Sequence, residues 1–196
     1  MNLNIQELLS QQLGGGAIQQ LSQQIGADEE TTSNAVTAAL PMLLGGLARN
    51  AQSPEGASSL LGALDRDHDG SVLDDIAGYL GQGGGAEGNG ILGHVFGSNR
   101  QNVESGISQA SGLDLSQVAR LLPLLAPIVM AVLGRTQRQQ GLDAPSLAGV
   151  LGRESQQAEA SSPLMGILSQ VLDSNRDGSV MDDVAGMLGG LLGGRR

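Results

Sequence analysis

The sequence predicts an all-α protein built from two homologous helical halves, and three observations carry that prediction. Tyr79 and Phe96 are the only aromatic residues among 196, so a core must be assembled from Leu, Ile, Val, Met and Ala. Such a core suits helix packing better than β-sheets, which lean on aromatic and β-branched side chains. Apolar residues recur at helical spacing in one segment after another, and no segment reads as a strand. Finally, "GADEETTSNAVTAALPMLLGGLAR" (26–49) aligns without gaps on "GLDLSQVARLLPLLAPIVMAVLGR" (112–135), with identities at Gly26/Gly112, Asp28/Asp114, Pro41/Pro127, Leu47/Leu133 and Arg49/Arg135.

Taken in order, Ile5, Leu8, Leu9 and Leu13 form a first helical stripe, stopped by Gly14-Gly15-Gly16. Ile18, Leu21 and Ile25 form a second, and Gly26 is suited to ending it. Asp28 and Asp114 are placed to cap the long helices that follow, because a short side-chain acceptor there satisfies an orphan backbone N–H. Pro41 and Pro127 fall inside those helices, where a missing N–H predicts a kink or a break. Ser53-Pro54 and Ser162-Pro163 read as cap and first-turn pairs opening further helices. "GLDAPSLAGVLGRES" adds one more short helix in the second half. The first repeat is expected over 1–80 with an acidic loop at 65–75, and the second over 93–196 with an acidic loop at 173–183. Residues 81–92, rich in glycine, read as a linker, the halves being either packed together or loosely joined.

Charge is concentrated rather than spread. Nine of the twenty acidic residues, together with Arg66 and Arg176, lie in the two loops, which therefore hold −7 of the net −10. No cysteine is present, which removes disulfides, thiolate metal sites and cysteine nucleophiles. The longest uncharged apolar run, "LLPLLAPIVMAVLG" between Arg120 and Arg135, falls short of the roughly 20 residues that span a bilayer and reads as a buried helix. The N-terminus lacks the basic start and apolar run of a secretory signal, so a cytoplasmic location is the default expectation. "LSQQIGADEETTSNAVTAAL" has the outline of a helix-turn-helix. Yet no Arg or Lys occurs from Ala17 through Ala48, and phosphate neutralisation is what supplies non-specific affinity, so nucleic acid is not an expected partner.

The loops "DRDHDGSVLDD" and "DSNRDGSVMDD" carry the sharpest chemistry. Asp65, Asp67 and Asp69 alternate before Gly70, and Asp173, Asn175 and Asp177 alternate before Gly178. Alternation in a turning loop aims three oxygens at one point, the glycine permits the chain reversal, and a backbone carbonyl follows, here from Ser71 or Ser179. An all-oxygen set of flexible carboxylates favours Ca2+ over zinc, copper or magnesium. A standard EF-hand places a bidentate Glu at the twelfth position, where Ile76 and Val184 stand instead. Asp75 and Asp183, immediately before those apolar residues, are therefore expected to close the loops. Asp74 and Asp182 are expected as helix caps or water-mediated ligands.

In this pattern the loops resemble the shortened calcium loops of bacterial proteins related to dockerins and EF-hands. The quoted segments, with Ala39, Leu40, Pro41, Leu43, Leu44 and Leu47 as an "ALP.LL..L" core, resemble a bacterial family known as domain of unknown function 937, related to YidB-type proteins. The likeness covers about residues 3–82 and extends through the internal repeat. It implies an all-helical bacterial protein and no activity. His68, His94 and the serines form no catalytic pattern, so the expectation is a non-enzymatic calcium-binding protein. Calcium would stabilise its fold or shape a surface for an unidentified protein partner or a second copy of the chain. The alternatives are a structural or membrane-associated helical protein with incidental metal binding, and an uncharacterised enzyme.

Overall fold

A helix that is apolar on every side must be enclosed on every side, and the architecture follows from that requirement. The computed structural model describes residues 5–14, 16–68, 70–81 and 85–161. Among these, nine α-helices and no strand are found: α1 (Ile5–Gln12), α2 (Gly16–Ile25), α3 (Glu29–Asn50), α4 (Pro54–Asp67), α5 (Ile76–Gly81), α6 (Gly85–Phe96), α7 (Arg100–Ser111), α8 (Leu115–Gln140) and α9 (Ala144–Ser161). The fold is all-α. Residues up to Ser155 form one compact unit. The second acidic loop and its candidate ligands Asp173, Asn175, Asp177, Ser179, Asp182 and Asp183 lie outside the described residues, as do Asp69 and Ser162-Pro163.

Helix α8 is the axis of the unit. Every residue from Leu121 to Gly134 is buried, and α1, α2, α3, α4, α6 and α7 all pack on it. By length and composition α8 could cross a membrane, but 83% of its most apolar window is buried inside the protein. The covering helices each present a narrower stripe. Ile5, Leu9 and Leu13 come from the first segment and Ala17, Leu21 and Ile25 from α2, the i, i+4 pattern that sets one helical face against the core.

Capping residues behave as local chemistry dictates. The Asp28 carboxylate accepts from Thr31 N at 2.8 Å, which holds its pKa below the ordinary carboxylate value, the backbone bond contributing more than the Thr31 hydroxyl. Asp114 N donates to Gln117 Oε1 at 3.0 Å. Ser53 Oγ accepts from Gly56 N at 3.0 Å, with Pro54 in the first turn. Gly26, at φ 72°, follows the last residue of α2.

Two expectations meet a different outcome. Of the kink or break expected at Pro41 and Pro127, no break occurs; α3 and α8 run through these residues, and α8 through Pro123 as well. Most of the expected linker over 81–92 is helical: Gly85–Phe96 is α6, and its packing on α8 is the most extensive helix pair in the unit. One contact links α6 to the prolines of α8. Pro127 has no N–H, so the carbonyl of Pro123, four residues earlier, loses its helical donor. Gly88 of α6 sits against that same carbonyl, and a Cβ there would overlap the oxygen. Gly85 and Gly88 both face Pro123, whereas Gly90 and Gly93 have open space around them, and the backbones approach closely at Gly88, where no side chain intervenes.

Gly88→Ala should therefore force α6 away from α8 and destabilise the protein by about 1–3 kcal/mol, as overpacking does. Urea denaturation of wild type and variant measures it. Gly90→Ala, at a position with open space around it, should be neutral or stabilising.

Candidate functional site

Helix α4 continues through Asp65 and ends at Asp67, so the first two candidate ligands occupy its last turn. Both are exposed, and neither carboxylate takes a hydrogen bond or ion pair among the described residues. Two residues apart on a helix, they point to different sides of it. Gly70 then turns the chain at φ 87° and begins a short 3-10 turn, Ser71–Asp74, that buries Leu73. This glycine is required twice over, by its left-handed backbone and by the Arg135 side chain pressed against it.

The closing acids take different roles from those the spacing suggests. Asp75 Oδ1 accepts from Gly78 N at 2.8 Å and caps α5. Gly78 has no Cβ where the Asp75 carboxylate lies, and any larger residue would collide with it. Asp74, 75% exposed, instead forms an ion pair with Arg135 at 2.6 Å. Among the described residues no three His, Asp or Glu side chains converge on one point. The expected ligands Asp65, Asp67, Ser71, Asp74 and Asp75 follow one another along the loop without gathering around a centre.

What does gather around the loop is α8. Arg135 donates from one guanidinium nitrogen both to Asp74 and to the Gly70 carbonyl, the latter at 3.1 Å. Arg138 donates to the His68 carbonyl at 2.9 Å, satisfying a backbone acceptor at the C-terminal end of α4 where a cation is also favoured. Gly134, immediately before Arg135, lies against the same His68 carbonyl, leaving no space for a Cβ. Three neighbouring positions of α8 thus clamp the acidic loop. Arg135 and Arg138 were not among the candidate residues of the sequence. The available signal was two arginines three residues apart, immediately after a fully apolar helical run.

His68 is buried, with Nδ1 3.5 Å from Glu87 Oε1. Burial pushes its pKa down, and Glu87 and Asp67 only partly oppose that effect, so the ring is neutral at pH 7. Next to the loop, burial pushes Tyr79 of α5 up to about 12, with Glu87 adding to the shift.

Among the described residues, helices without strands and an acidic loop held by two arginines define an all-α protein with a charged loop. The family model described as "Bacterial protein of unknown function (DUF937)" matches residues 7–136 and 134–195. The chain belongs to this family. No curated protein and no solved structure matches it.

Two expectations follow from the geometry. Asp75→Ala should cost about 1 kcal/mol of stability through loss of the α5 cap, read by urea denaturation in EDTA. For Tyr79 the neutral phenol is favoured in the folded state, so its contribution is present below pH 10 and is lost as pH rises towards about 12. Because it is the only tyrosine and tryptophan is absent, phenolate absorbance reports it alone. The midpoint should lie near 12 in the native protein and near 10 in denaturant.

Proposed function

We propose that this is a non-enzymatic helical protein whose acidic loop takes up Ca2+, the ion stabilising the fold or shaping a surface for a protein partner. The observation that carries the reading is the Arg135 clamp, a guanidinium bonded to the Gly70 carbonyl and to Asp74 at the loop's turn. The loop is already folded around a positive charge, using a backbone carbonyl and a carboxylate, the donor types that bind calcium. Asp65 and Asp67 remain as exposed carboxylates beside it. The repetition of the Asp-x-Asp/Asn-x-Asp-Gly pattern at 173–178 supports the same reading from the sequence.

Binding in this way has a structural requirement. Asp65 and Asp67 cannot meet while both are helical, so the last turn of α4 opens when the ion enters. The pairing of Asp74 with Arg135 competes with any role of Asp74 as a ligand, and the capping of α5 competes likewise for Asp75. Calcium affinity in this reading is therefore the difference between two arrangements of the same acids, and it responds to Arg135 as well as to the ligands.

Calorimetric titration of calcium against wild type and the double variant Asp65→Ala/Asp173→Ala tests the assignment. Binding heat is expected for wild type and is lost in the variant; no binding by wild type at millimolar calcium refutes it and leaves a structural helical protein. At about a hundred times Kd the ion should stabilise by about 2.7 kcal/mol, raising Tm over that in EDTA by about 5–10 °C for a chain of this size.

A further inference from the structure

The two histidines of the chain, 26 positions apart in sequence, line the same cavity. It has a volume of about 360 Å³ and lies where α3, α4, α6 and α8 meet, within the range of small-molecule sites, roughly 300–1,000 Å³. Its composition is unlike the rest of the molecule. In a chain with twenty acidic residues, no Asp, Glu, Lys or Arg lines it among the described residues.

The lining is also sorted by depth. Leu47, Leu60, Val95 and Met130 are buried and form the apolar part. Ser53, Ser59 and His94 line the cavity and are exposed to solvent, which places these three at its mouth, whereas His68 is buried. The mouth is held in place by backbone interactions. Asn50 Nδ2 donates to the His94 carbonyl at 2.8 Å, tying the end of α3 to α6. Ser53 Oγ accepts from Gly56 N at 3.0 Å, which leaves its hydroxyl hydrogen to donate elsewhere. Gly56 lies against the Asn50 carbonyl with no space for a Cβ, so the corner between α3 and α4 is tightly fixed. His68 adds a buried ring whose Nδ1 faces Glu87; its other ring nitrogen has no hydrogen-bond partner among the described residues.

An apolar interior with hydrogen-bond donors at the opening matches an amphiphile with its head outward. Ser53, Ser59 and His94 each bring a donor to the lining, and a carboxylate is an acceptor only, able to receive several such bonds. We propose that this cavity binds a medium-chain aliphatic carboxylate, the chain entering toward Met130 and Leu47 and the carboxylate held by His94, Ser53 and Ser59. The site shares His68 with the acidic loop, but none of the loop's acids lies among the groups assigned here to the carboxylate.

Octanoate is the direct probe, titrated calorimetrically into the full chain in EDTA so that no metal contributes. Saturable binding is expected, with octylammonium, the same chain bearing a donor head, weaker by about tenfold or more. His94→Ala removes an exposed donor and should weaken octanoate by about fivefold to tenfold. Ala63→Phe, which places a ring in the cavity, should abolish binding. Thermal unfolding followed by circular dichroism establishes that each variant is folded, and His94→Ala keeps the test available if the filled cavity disrupts packing. Absence of octanoate binding at millimolar concentration, equal binding of octylammonium, or unchanged affinity in folded Ala63→Phe would each overturn the proposal.

Discussion

Burial of α8 is the constraint on which the other features rest. From Leu121 to Gly134 no side chain carries a charge and every residue is buried, so the helix has no face that water could solvate. Each buried Leu, Ile or Val contributes about 1.5–3 kcal/mol relative to exposure. That return is available only if helices surround α8 closely. The two prolines and the glycines opposite them serve this closeness. Removing the Pro127 N–H leaves a carbonyl without its helical donor, and removing a side chain at Gly88 lets another backbone approach that carbonyl. A glycine-rich helix such as α6 is weak by propensity. It is held by what it touches.

The same helix links core and loop. Polarity returns abruptly at Arg135, one residue after the last of the buried run, and this junction receives the end of α4 and the acidic turn. Arg138 takes the terminal carbonyl of α4, Arg135 takes Gly70 and Asp74, and Gly134 permits the contact. Any rearrangement of the acidic loop must therefore alter bonds made by α8. A change in the charge held at Gly70 is felt directly by the helix at the centre of the unit. That gives the loop a physical route to influence the stability of the unit built on α8.

The acids of the loop illustrate how one residue pattern permits more than one structure. Alternating Asp residues before a glycine are suited to a turning loop, yet Asp65 and Asp67 are accommodated in a helix that takes in the first three residues of that loop. Asp75 precedes an apolar residue, as a closing ligand would, but the Asp75-x-x-Gly78 spacing equally makes an N-cap with space for the carboxylate. The spacing recurs at Asp183 and Gly186. Capping requires only a neighbouring N–H, whereas ligation requires several distant oxygens to converge, so local chemistry is satisfied first.

Sequence alone determined the helical class, the caps at Asp28, Ser53 and Asp114, the stop at Gly26 and the buried character of the run between Arg120 and Arg135. These are local matters: side-chain spacing along one helix, a hydroxyl or carboxylate within reach of its own backbone, and the cost of exposing apolar surface. Only the tertiary structure decided that the glycine-rich stretch after Gly81 would hold a helix, that Arg135 would meet Asp74 across 61 residues, and that His68 and His94 would share a cavity. Each of these depends on which surfaces meet. A glycine in a linker confers flexibility when nothing packs on it, and at Gly88 it permits close packing because a carbonyl without a helical donor lies opposite.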